Sequence, residues 1–221
     1  WQTFPKKDDF DFLQKYLKLN VNYNEILKTI SKDSHVINAI KKYPNLRLLN
    51  QDFEQTLLSY IISSNNTIKN IRKSVRLLSV KFGRMLKVDD MKFYFFPNTE
   101  TLAAAKIEDL LECKLGFRGK FFKKAAEHII SQNLNSKIHQ MTEHEARENL
   151  KIIPGIGDKI ADCIMCYSLG FDNVIPIDTW VKKIFTQYYN LDPKIKSEKA
   201  REWSNEYFEG LGAWAGQFLF E

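Results

Sequence analysis

The sequence predicts an all-α fold of two helical subdomains flanking a cleft. Three observations carry that prediction. Apolar residues recur at three- and four-residue spacing almost throughout the 221 residues. Start and stop signals stand at the ends of those patterns. Strand-like character is confined to Phe93-Tyr94-Phe95-Phe96-Pro97, which reads as an apolar loop anchored between helices. A hydrophobic content of 44% is enough to bury a core at this length.

The periodicity places helices at 9–17, 23–31, 35–43, 53–63, 66–82, 100–112, 118–131, 143–151, 158–169, 179–189, 197–209 and 213–220. Asp52 with Gln55, and Thr142 with Glu145, read as capping boxes. Ser197 ahead of Glu198-Lys199-Ala200 is a good helix opening. Gly116, Gly170 and Gly210 stand where helices stop. Residues 10–55 and 188–221 are expected to form one helical subdomain, and 56–187 a helical barrel with a helix-hairpin-helix at about 146–169. There is no internal repeat, low-complexity tract or linker.

No apolar run approaches the roughly 18 residues of a membrane span, and Trp1-Gln2-Thr3-Phe4 does not open a secretion signal. The chain starts on Trp1 rather than Met, which leaves room for residues upstream. Three cysteines, Cys113, Cys163 and Cys166, fit a reducing intracellular compartment: cytoplasm, nucleoid or nucleus. They are too few for a four-cysteine iron–sulfur cluster. Cys163-x-x-Cys166 lies in a helical pattern without a second pair, which argues against a zinc or redox site.

The net charge is +6, and its distribution matters more than its size. No acidic residue stands between Glu54 and Asp89. Lys69, Arg72, Lys73 and Arg76 share one helical face there, with Ile68, Ile71, Val75 and Leu78 expected opposite. Lys114, Arg118, Lys120, Lys123 and Lys124 form a second basic set. Such runs can be solvated helix faces, but two of them around a glycine hairpin point to a polyanion.

That hairpin is Pro154-Gly155-Ile156-Gly157. Both glycines permit a positive φ, and the helix starting near Asp158 points free N–H groups outward. Such a turn can close a plain αα-hairpin or lay its N–H groups against a phosphate. Lys159 stands in the first helical turn, where the helix dipole penalises an ammonium, and partial burial would add to that. A neutral amine is what a nucleophile requires. Asp178 follows 178 − 159 = 19 residues later. It is a good N-cap for the next helix, and a capping carboxylate can also steady a developing positive charge.

Lys159-Ile160-Ala161-Asp162-Cys163 after the hairpin, Ser63-Ser64-Asn65-Asn66 after an apolar helix, Phe96-Pro97 and Leu115-Gly116-Phe117-Arg118 together resemble the 8-oxoguanine DNA glycosylase/AP lyase family. Trp214-Ala215 and Leu219-Phe220 resemble its last helix, and the likeness runs over about residues 10–221. It implies the helix-hairpin-helix DNA glycosylase fold. Residues 1–9 would be a remnant of the final part of an N-terminal β domain that is otherwise nearly absent.

The resemblance implies roles as well. Lys159 would attack C1′ and form a Schiff base, and Asp178 would stabilise charge and orient the sugar. Cys163 and Phe220 would sandwich the flipped base, although both residue types also suit core packing. Asn65, Phe117 and Arg118 would fill the gap and meet the orphaned partner base. Gly155, Gly157, Lys69, Arg72, Lys73 and Trp180 would face the DNA backbone. Four positions depart from the family pattern. Asn70 replaces an arginine that reads the partner cytosine, Phe117 a tyrosine, and Trp180 a phosphate-binding histidine. Gly216 takes the place of a base-binding glutamine, with Gln217 beside it as a substitute.

The implied activity is flipping and excision of 8-oxoguanine from duplex DNA by a monomer, followed by β-elimination. Neither a metal nor an organic cofactor is required. Glycosylases for oxidised pyrimidines or alkylated purines are rivals, though the alkylpurine branch generally lacks the lysine. A non-enzymatic helix-hairpin-helix module would need the hairpin and basic faces but neither Lys159 nor Asp178.

Overall fold

The computed structural model describes residues 10–221. Expectations for 1–9, including the β-domain remnant, lie outside the described residues. The described chain is helical apart from one two-stranded hairpin, and none of its helices is long and apolar enough to cross a membrane. It divides into two compact units, Asp52–Ile160 and residues 10–51 with Ala161–Glu221. The division falls inside a helix. It assigns residues 161–187 to the same unit as the terminal helices, whereas the sequence pattern had carried the barrel to 187.

The second unit opens with α1 (Phe10–Tyr16), α2 (Tyr23–Ile30) and α3 (Ser34–Lys42). The first unit begins at α4 (Phe53–Ser63) and α5 (Ile68–Phe82). Asp52 caps α4 by accepting from the Gln55 N–H at 2.8 Å, and Thr67 caps α5. The antiparallel pair β1 (Met85–Val88) and β2 (Met91–Tyr94) follows, pairing Met85 with Tyr94 and Val88 with Met91. This corrects the expected loop: Phe93 and Tyr94 are strand residues, and Phe93, Tyr94 and Phe95 are exposed rather than anchored. Gly83 is where the hairpin folds back on α5, since a Cβ there would sit 1.9 Å from the Phe95 carbonyl oxygen.

The expected helix 100–112 is two helices, α6 (Thr99–Ala104) and α7 (Ile107–Glu112). Lys123 Nζ donates to the Ala103 and Ala105 carbonyls at 2.7 and 2.8 Å, at the break. Next come α8 (Arg118–Ser131), the short α9 (Leu134–Ile138), which the pattern had not indicated, and α10 (Glu143–Lys151). The capping box at Thr142 is complete in both directions. In the first unit α8 packs against α4, α6, α7 and α9. Its face of Phe122, Ala125, Ala126 and Ile129 is buried, as helical spacing requires.

Helix α11 (Asp158–Ser168) crosses the division, and α12 (Thr179–Tyr189), α13 (Ser197–Tyr207) and α14 (Gly212–Phe220) complete the second unit. Ser197 is the first residue of α13 rather than its cap, which is Lys196 without a side-chain bond. The core of this unit gathers Ile30, Val36, Leu48, Phe208, Trp214 and Phe218. A second cluster joins Ile175, Ile177, Val181 and Phe185. Gly116, Gly170 and Gly210 end their segments in left-handed conformations.

Candidate active site

The helix-hairpin-helix is α10, the turn and α11. Ile153 and Ile156 are buried on either side of the turn, and the Ile156 N–H donates to the Ile153 carbonyl at 3.1 Å. Pro154, Gly155 and Gly157 are thereby left exposed. Of the two glycines only Gly155 takes a positive φ, +94°. A Cβ there would also sit 3.0 Å from the Phe121 side chain, whereas one on Gly157 would meet no atom within 4 Å. Gly157 is thus not required by backbone angle or by packing, and its open side is what close approach of a polyanion needs.

Lys159 lies in the first turn of α11. The partial burial expected for it is not found: the residue is exposed. Its Nζ stands 5.8 Å from the centre of the Tyr60 ring of α4. Among the described residues no carboxylate pairs with it, because Asp158 is bound by Lys151 at 3.1 Å.

Asn65, Phe117 and Arg118, the residues expected at the DNA gap, are in contact in the first unit. Arg118 Nε donates to the Ser64 carbonyl and Nη2 to the Asn65 carbonyl, both at 2.6 Å. Its guanidinium also lies 4.4 Å from the Phe117 ring centre. Arg118 thus holds the turn in which Asn65 adopts φ +47°, so two of its donors are spent on backbone rather than offered to a base. Phe117 is 60% exposed and meets Phe121 edge-on at 6.5 Å. Phe121 therefore links these residues to the hairpin through Gly155; sequence reasoning missed it, although it lies one helical turn from Phe117. Asn70 is exposed in the first turn of α5. Lys69, Arg72 and Lys73 are exposed too, but Ile68 is 71% exposed, and Ile71 and Val75 line the same groove as Arg72 and Arg76. The expected opposition of basic and apolar faces on this helix therefore fails at Ile68, Ile71 and Val75 and holds at the buried Leu78.

In the second unit Asp178 caps α12 with one oxygen: Oδ1 accepts from the Trp180 and Val181 N–H groups, each at 2.9 Å. Oδ2 takes none of the hydrogen bonds found among the described residues. Trp180 is 61% exposed, with Lys183 Nζ 4.6 Å from its ring. Cys163 is buried one turn beyond Lys159 on α11, and Phe220 is exposed at the end of α14. Gly216 packs so closely that a Cβ would come within 2.6 Å of Ile175, which excludes a glutamine there without movement. Gln217 is half-buried, and its Oε1 accepts from the Tyr167 hydroxyl at 3.0 Å. Burial raises the Tyr167 pKa and keeps that phenol protonated as the donor. Asp162, fully buried in α11, is bound by Arg201 at 2.9 Å. An acid amid an apolar helical pattern signalled the need for such a cation, but not which one.

A helix-hairpin-helix followed in its first turn by an unpaired lysine defines a class that comparison identifies. Residues 58–209 match the family described as HhH-GPD superfamily base excision DNA repair protein. Residues 2–57 match 8-oxoguanine DNA glycosylase, N-terminal domain. The N-glycosylase/DNA lyase of Saccharomyces cerevisiae is 28% identical over 81% of this chain and 51% of its own length. That of Arabidopsis thaliana is 27% identical over 99% of this chain and 63% of its own. The Clostridium acetobutylicum 8-oxoguanine glycosylase/lyase, solved in complex with dsDNA containing cytosine opposite 8-oxoG, is 34% identical with a TM-score of 0.90. That match covers 97% of this chain and 74% of the other. The chain belongs to the HhH-GPD superfamily and, within it, to the 8-oxoguanine DNA glycosylase family. It spans about half to two thirds of the length of the two curated relatives above.

Proposed function

We propose that this protein is a bifunctional DNA glycosylase and AP lyase that removes 8-oxoguanine from duplex DNA. The observation that carries the reading is Lys159, exposed and without an anionic partner, two residues beyond a hairpin glycine whose open side faces no protein atom. A module that only held DNA would need the hairpin but not that amine.

The nucleotide is first flipped out of the stack, at a cost on the order of a few kcal/mol. Neutral Lys159 Nζ attacks C1′, the C1′–N9 bond breaks, and the base leaves with a proton. Opening of the sugar ring gives an imine between Nζ and C1′. Loss of a proton from C2′ then expels the 3′ phosphate oxygen and cuts the strand. Asp178 Oδ2 steadies the positive charge at the sugar. Asn65, Phe117 and the turn that Arg118 holds fill the vacated space, and Asn70 takes the place beside the partner base. Cys163, Phe220 and Gln217 are assigned to the damaged base. No step calls on a cofactor. The working form is a monomer on duplex DNA, in an intracellular compartment.

Borohydride reduction on a duplex with one 8-oxoguanine tests the reading. Wild type is expected to give a covalent adduct, and Lys159→Gln to bind the duplex with neither adduct nor base release. An adduct in the variant makes another amine the nucleophile; none in wild type removes the lyase.

A further inference from the structure

Helix α5 and strand β2 of the first unit flank an open groove of about 500 Å³, within the roughly 300–1,000 Å³ of ordinary ligand clefts. Its floor is apolar: Ile71, Val75, Phe93 and Tyr94. Val80 and Phe93 are 47% and 49% exposed, so the floor is open to water. Its charged lining is entirely basic, Arg72, Arg76 and Lys92. None of the three has a carboxylate partner among the described residues. Lys81, on the same helix, is neutralised by Asp109 and Glu112 at 2.7 and 2.6 Å.

Two arguments place the groove apart from lesion recognition. At about 100° per residue, the groove residues of α5 centre roughly 180° around the helix from Asn70, which the proposed reaction sets against the partner base. The floor also has no use for phosphate: a DNA backbone would satisfy the cations and leave the aromatic and aliphatic surface wet. An acidic chain segment with large apolar side chains satisfies both.

We propose that this groove docks an acidic, apolar-bearing peptide segment of a partner protein. Its apolar side chains fill the space between Val75 and Phe93, and its carboxylates pair with Arg76, Lys92 and Arg72, the last of which this reading takes out of the set expected to face the DNA backbone. This rests on charge complementarity and on an apolar floor open to water; only its separation from lesion recognition rests on the proposed reaction.

The test uses short synthetic peptides alternating glutamate with leucine or phenylalanine, against polyglutamate of equal charge and against lesion-free duplex. Wild type is expected to bind the mixed peptides at least about tenfold more tightly than polyglutamate, a difference of about 1.4 kcal/mol. Lys92→Glu and Phe93→Ser, both at exposed positions of the hairpin, should each lose about tenfold on the mixed peptides and keep duplex affinity and melting temperature. Equal binding of peptides by wild type and variants, or no binding by wild type, overturns the proposal. Loss of duplex affinity in the variants overturns it in favour of a DNA surface.

Discussion

Asp178 has two oxygens in two situations. Oδ1 is fixed by two backbone N–H groups at 2.9 Å, which sets the plane of the carboxylate; Oδ2 is the oxygen that the proposed reaction uses. Asp178→Asn keeps an oxygen for the cap and removes the charge. The expected outcome is a stability loss under about 1 kcal/mol and a single-turnover excision rate lower by about 10²–10³. A collapsed melting temperature with full activity in the folded remainder would make Asp178 a cap only. The places of Asp178 and Lys159 were legible because both rest on local sequence: a cap ahead of Thr179, and a first turn behind a glycine hairpin. Tyr60 against Lys159 and Tyr167 against Gln217 were not, since each pair joins separate helices through packing that no local pattern encodes.

At the scale of elements, the two hairpin glycines separate by the reason each is glycine. Gly155 has both a left-handed backbone and the Phe121 ring beneath it. Gly155→Ala is expected to cost about 1–3 kcal/mol in strain, seen as a lower melting temperature. Gly157→Ala meets no atom within 4 Å and should leave the melting temperature nearly unchanged while weakening duplex affinity, if the hairpin takes a phosphate as proposed. Wild-type affinity in Gly157→Ala would show that the hairpin does not meet DNA. The hairpin was readable because Pro-Gly-x-Gly between two helical periods has few alternatives. The β1–β2 pair was not: its turn is Asp89-Asp90, with Asp89 at φ +51°, rather than the usual asparagine–glycine, and each strand is only four residues. The break between α6 and α7 falls in Ala103-Ala104-Ala105, where propensity favours helix; Lys123 from α8 binds the freed carbonyls there.

For the whole molecule, the helical class followed from periodicity, but the division inside α11 did not, because its apolar pattern runs unbroken from one unit to the other. The second unit also carries a pH dependence. Asp33 caps α3 through Oδ1 and accepts from the Tyr189 and Tyr207 hydroxyls through Oδ2, at 3.0 and 3.2 Å. Burial first, and then the Asp33 charge, raises both phenols above their ordinary 10.0. Their contribution is complete below about pH 10. It is lost as pH climbs toward the folded-state values, because the unfolded chain gives up those protons first. Melting temperature is expected to fall above about pH 10, and less steeply in Tyr207→Phe. A profile that is the same in both proteins would remove Tyr207 from the account.

The division of the chain has a consequence for its synthesis. Among the described residues the first unit, Asp52–Ile160, is one continuous stretch, so these residues have all left the ribosome once Ile160 has. Residues 10–51 emerge earlier but belong with Ala161–Glu221, which emerges after the first unit. The hydrophobic stripe of α2 and α3, including Ile30 and Val36, therefore waits uncovered until Trp214 and Phe218 arrive. Throughout that wait the stripe is transiently exposed apolar surface, the kind that makes a partly made chain prone to aggregate, and a stop ahead of Trp214 leaves it without that cover.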